Sequence, residues 1–171
     1  MPSLRIPNSG KGKTEGRGKE SPRKIARLLI LSIIFIWLTE NYSAFSLLQE
    51  ITLDSVYFLF QSSGIEIERQ GLFIIAGDLV TLISPECSGL FGIFILLSFI
   101  LLSNKSWLSK LKGSLALIPI AFLTNIFRIF VIIALAYYLG AGFLPLLHLI
   151  FWDFLYLAIL FLLCLLFHKI F

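Results

Sequence analysis

The sequence predicts an all-α polytopic membrane protein with about four transmembrane helices. Between the first two spans it predicts an extracytoplasmic amphipathic helix and a short β-hairpin segment. Three observations lead there. Of 171 residues, 58% are hydrophobic and the mean hydropathy is +0.94, above the roughly half-apolar make-up of soluble domains. Four apolar runs, at residues 25–43, 88–103, 113–139 and 146–167, approach or exceed the ~20 residues that carry a helix across a bilayer. Charge is segregated, with eight of the 14 Lys and Arg in residues 1–27.

Residues 1–24 hold four glycines and almost no apolar side chains. Such a segment cannot bury a core and reads as a disordered basic cytoplasmic tail that touches anionic lipid. The net charge of +4 is mostly this tail, so the basic balance does not point to nucleic acid. Residues 25–171 read as one integral-membrane domain. The run 25–43 has Trp37 and Tyr42 near its far end, and no small-residue cleavage site follows it. It is expected to stay as an uncleaved first span.

Residues 44–86 are too polar for a plain span. Leu47, Leu48, Ile51, Tyr57 or Phe58 and Leu59 recur at roughly helical spacing, with Gln49, Glu50 and Asp54 between them. That pattern predicts an amphipathic helix at the outer interface. Farther on, Ile65-Glu66-Ile67-Glu68 alternates with period two, and Gly71 and Gly77-Asp78 punctuate the chain. Two or three short strands are expected there, with a second interfacial helix as the alternative. The tail, the 104–112 loop with Lys105, Lys110 and Lys112, and the terminal His168-Lys169 fall on one side when the four runs each cross once. The positive-inside rule makes that side cytoplasmic, with both termini there and residues 44–86 and 140–145 outside.

Three polar groups then meet at one depth. Ser84 suits an N-cap, Pro85 the first helical position and Glu86 the first turn of the second span. Cys87 would lie in that first turn, where a helix N-terminus favours a thiolate, followed by Ser88 and by Gly89 and Gly92, which leave room for a substrate or a neighbour. In the third span Asn125 and Arg128 share one face at i, i+3. Arg128 lies about 18 Å from Gly140 along the helix, in the outer half of the bilayer. A cation there costs at least ~2.5–3.5 kcal/mol and calls for a partner or a function. Asp153 is expected to balance it, with Glu86 at the mouth as the other choice. His148 follows Pro145 near the outer end of the fourth span.

Each residue also has a plain reading: buried cysteine as apolar filler, arginine reaching headgroups, histidine at an interface. Jointly, a thiol and an imidazole are the minimum for cysteine nucleophilic catalysis. The guanidinium can steady negative charge on the intermediate or hold a substrate carboxylate. Cys164 lies about 24 Å along span four from His148, so it reads as filler at the other face. No His/Cys spacing suits a metal, and no cofactor is expected.

The motif C-S-G-L at 87–90, N-x-x-R at 125–128, His148 after a Gly/Pro turn and G-I-x-I-x-x-x-G at 64–71 resemble the exosortase/archaeosortase family. The resemblance covers roughly residues 45–165. It implies a membrane-embedded cysteine protease and transpeptidase acting on C-terminal sorting signals of exported surface proteins, with a lipid or glycan as acceptor. Implied roles are nucleophile for Cys87, acid/base for His148 and transition-state or substrate contact for Arg128. The chain would be a reduced, four-span form where many members have about eight, with Trp152 where relatives often carry glycine. The alternative from a different class is a non-enzymatic scaffold or carrier-lipid-binding subunit of a surface-polymer export system. A transporter is disfavoured because the polar groups form one cluster at one side.

The orientation predicts a labelling pattern. In a cysteine-free background, Gln70→Cys or Gly142→Cys should react with an impermeant thiol reagent added outside, and Trp107→Cys should not. Labelling at position 107 from outside would overturn the assignment.

Overall fold

The computed structural model describes the backbone of residues 21–40 and 43–171; the side chains at 21–24, 38, 39, 43–45, 152 and 153 lie outside the description. The expected tail up to residue 20 also lies outside it. The chain runs α1 (Ser21–Glu40), α2 (Ser43–Ser63), β1 (Glu68–Gln70), β2 (Phe73–Ala76), β3 (Leu79–Leu82), a 3-10 turn (Pro85–Ser88), α3 (Leu90–Leu102) and α4 (Trp107–Leu139). After a second 3-10 turn (Ala141–Phe143) comes one continuous helical rod: α5 (Leu144–His148), a π-helical segment (Leu149–Tyr156) and α6 (Leu157–Ile170).

Each of the four apolar runs contains a helix, but among the described residues two helices are long and apolar enough to cross a membrane: α4 and the stretch Ala141–Ile170. The apolar part of α1 (Ile25–Trp37) and α3 are shorter. With 13 residues, α3 extends about 20 Å, against a hydrocarbon core of ~30 Å. It is short because its expected first turn is not α-helical. Pro85–Ser88 close a separate 3-10 turn, and Gly89 at φ 80° breaks the path before Leu90. Cys87 therefore stands outside α3, contrary to the expectation that it occupies the first turn of that span.

Helix α2 forms where the periodicity places it, and the face it packs on the protein includes two polar residues. Gln49, Thr52, Leu53, Val56 and Phe60 face inward, at i, i+3, i+4, i+7 and i+11, while Leu47, Ile51 and Phe58 face out. The outward apolar side chains suit a lipid-facing surface, and the inward polar pair has a structural task described below.

The expected strands form an antiparallel meander in the order β1-β2-β3. Gln70 pairs with Phe73 and Ala76 with Leu79, leaving two-residue turns at Gly71-Leu72 and Gly77-Asp78. Positive φ falls on the first turn residue each time, 60° at Gly71 and 58° at Gly77. That is the type II′ pattern, which needs glycine at that position and matches strand twist.

Two apolar clusters hold the helices together. One joins α2, the sheet and the C-terminal half of α4 through Leu53, Phe60, Ile74, Ile83, Ile129 and Ile133, with Leu147. The other joins α3, α4 and α6 through Leu96, Ile100, Leu117, Leu160 and Phe167, with Tyr156. Two glycines permit close approach in the second cluster. A Cβ on Gly92 would run into the Tyr156 hydroxyl, and one on Gly113 would lie 2.5 Å from the Phe167 ring. At this end Lys110 Nζ donates to Leu101 O (2.7 Å) and Lys105 Nζ to His168 O (3.0 Å). Basic side chains of the 104–112 loop thus satisfy carbonyls near the C-termini of α3 and α6, where cations offset the helix dipole.

Candidate active site

Cys87, Arg128 and His148 line one cavity of about 300 Å³, closed on its other sides by Val80–Ser84 residues of the sheet edge and by Ile129, Ile132, Ile133 and Leu144. Three elements remote in sequence supply the polar groups: the 3-10 turn, the middle of α4 and the end of α5. The wall is otherwise mostly aliphatic. Cys87 is half-buried, Arg128 is 5% exposed, and His148 is exposed at the rim.

The backbone around Cys87 is held by side chains. Asn125 Nδ2 donates to Cys87 O at 2.8 Å, and Gln49 Nε2 donates to Ile83 O at 2.5 Å. Thr52 Oγ1 lies 2.8 Å from Leu48 O and 3.4 Å from Ser88 O, so its one proton favours its own helix and reaches Ser88 as the weaker arm. Asn125 is fully buried. It fits because Gly89 has no side chain: a Cβ there would lie 2.8 Å from Asn125 Nδ2. The left-handed φ and this close approach both require glycine at position 89.

Arg128 shares the inward face of α4 with Asn125, as the i, i+3 spacing predicts. Its guanidinium carbon lies 5.0 Å from the centroid of the Tyr156 ring, a cation–π contact that strengthens when desolvated. Arg128 also lines a second cavity of about 60 Å³, with Phe127, Phe151 and Tyr156. The pairing expected with Asp153 falls on a side chain outside the description.

Ser88 is buried, Gly89 forms the break before α3, and Glu86 is exposed beside the turn. The Ser84 hydroxyl, and next a backbone hydrogen bond in the same turn, hold the Glu86 carboxyl below its usual range, against a smaller opposing effect of burial. A depressed carboxylate stabilises the folded turn above the ordinary glutamate pKa, and the contribution fades as pH falls through the folded value. Ser84 does not cap a helix with its side chain, contrary to expectation. Its hydroxyl donates instead to Cys87 Sγ at 3.5 Å. Cys164 is 7% exposed inside the second cluster, apart from Cys87, and both thiols are free.

Sequence reasoning did not single out Gln49, Thr52 or Tyr156. The first two carry a signal in retrospect: they lie at i, i+3 on the same stripe as Leu53, Val56 and Phe60. A polar pair inside an apolar stripe needs partners. Tyr156 carries none, because its inward direction depends on the π segment before it.

Gln49→Leu and Asn125→Leu each strip a buried carbonyl of its donor and should cost ~1–3 kcal/mol. Thermal unfolding of the detergent-solubilised protein would show lower midpoints for both, with exposed Glu50→Gln unchanged. Parental midpoints in both leucine variants would show that these donors do not hold the turn.

The family model described as transmembrane exosortase matches residues 17–167, a stretch that includes every element of the site. No curated protein and no solved structure matches the chain.

Proposed function

Since the chain belongs to the transmembrane exosortase family, we propose that it is an intramembrane cysteine protease and transpeptidase. It cleaves the C-terminal sorting signal of exported surface proteins and passes the shortened chain to a lipid or glycan acceptor. The observation that carries this reading is the single cavity shared by Cys87, Arg128 and His148.

The chemistry follows from the three groups. The Cys87 thiol gives its proton to His148, and the thiolate formed attacks the scissile carbonyl. Negative charge gathers on the carbonyl oxygen, and the buried Arg128 lies on the cavity wall to stabilise it. Collapse of the intermediate expels the amine, which takes its proton from His148 and leaves a thioester on Cys87. An acceptor nucleophile then gives its proton to His148, attacks the thioester and releases the Cys87 thiolate.

In this reading both termini lie inside and the site faces outside, an orientation that the positive-inside rule favours. With four crossings, the Cys87 turn stands at the outer end of the 13-residue α3, where a substrate helix arriving through the lipid presents its junction.

A reporter carrying a sorting signal from the same host gives the test. Cys87→Ala should abolish its processing and Cys164→Ala should leave it intact. Arg128→Lys should accumulate in the membrane and lose most activity, because an ammonium cannot replace the planar fork. Normal sorting by Cys87→Ala would favour the scaffold reading.

A further inference from the structure

We propose that Ser84 is a further catalytic residue, whose hydroxyl donates to Cys87 Sγ and stabilises the sulfur as the attacking thiolate. The inference rests on the reading of Cys87 as nucleophile and adds a residue to it. Its basis is geometric. Ser84 Oγ lies 3.5 Å from Cys87 Sγ, and both residues line the same cavity. The turn itself fixes this approach: Cys87 N–H donates to Ser84 O at 2.9 Å, which brings residues i and i+3 over one another, and Pro85 between them restricts the backbone.

A local donor also fills a need. Gly89 separates Cys87 from α3, so the sulfur is not among the first-turn residues on which a helix N-terminus acts most strongly. A charge-assisted hydrogen bond from Ser84 supplies stabilisation at the sulfur itself. The ionisable groups around the cysteine are Glu86 in the same turn, Arg128 from α4 and His148 from α5. Among the described residues that line the cavity, the sheet contributes none and α2 does not reach it.

Glu86 stands in the same turn and places a negative charge near the sulfur. Ser84 keeps its own proton throughout, so it acts by hydrogen bonding and not as a base.

The test needs no substrate, so it stands apart from whether sorting activity is found. In full-length Cys164→Ala protein in detergent, the rate of Cys87 alkylation by iodoacetamide is followed against pH. Ser84→Ala should raise the pH of half-maximal alkylation by about one unit, and Ser84→Thr should stay close to the parent. Glu86→Gln removes a neighbouring negative charge and should lower it by the same amount with or without the Ser84 hydroxyl. An unchanged profile in Ser84→Ala overturns the proposal, as does a Ser84→Thr profile that matches Ser84→Ala.

Discussion

A backbone carbonyl that leaves a helix ladder in apolar surroundings must find a donor on a side chain, because lipid supplies none. The turn that carries Cys87 creates this need twice over. The chain leaves β3, closes a 3-10 turn and breaks again at Gly89 before α3 begins. Gln49 from α2 reaches Ile83 O, and Asn125 from α4 reaches Cys87 O. A loop that would otherwise be the least ordered part of a membrane domain is thus clamped from two sides. The thiol is positioned by amide side chains rather than by the regular helix that follows it.

The other features depend on that clamp. Because the turn is held away from the α3 axis, a cavity opens between it, α4 and α5, and Arg128 closes one wall. The guanidinium is fixed from behind by the Tyr156 ring. Tyr156 in turn fits only because Gly92 on α3 leaves its hydroxyl room. Gly89 and Gly92, one turn apart in sequence, therefore serve neighbours on two helices: one admits the amide that holds the turn, the other the ring that backs the cation.

The helical runs, the meander and the residues that share the cavity were legible in the sequence, because hydropathy period, Gly placement and charge segregation are local signals. Asn125 and Arg128 were legible as a pair since i, i+3 spacing fixes a common helix face. Three things were not. The 3-10 turn looks in sequence like a helix start: Ser84, Pro85 and Glu86 are all good N-terminal residues, and only the left-handed Gly89 decides otherwise. The inward stripe of α2 was not legible, because in a lipid-facing helix the apolar side chains do not mark the face that packs on the protein. The π segment at Leu149–Tyr156 has no proline or glycine to announce it. Its wider turn sets the direction of Tyr156, so that residue could not be found from spacing.

The claim at the centre is that the sulfur held in this turn forms the bond to substrate. The direct measurement is a search for the acylated enzyme by intact-mass and peptide mass spectrometry, after mixing the solubilised protein with a sorting-signal peptide in the absence of acceptor. The account predicts a hydroxylamine-sensitive adduct with the mass of the N-terminal cleavage fragment, on the peptide that contains Cys87. Cleavage of the peptide with no adduct at Cys87, or an adduct on Cys164 instead, would contradict it.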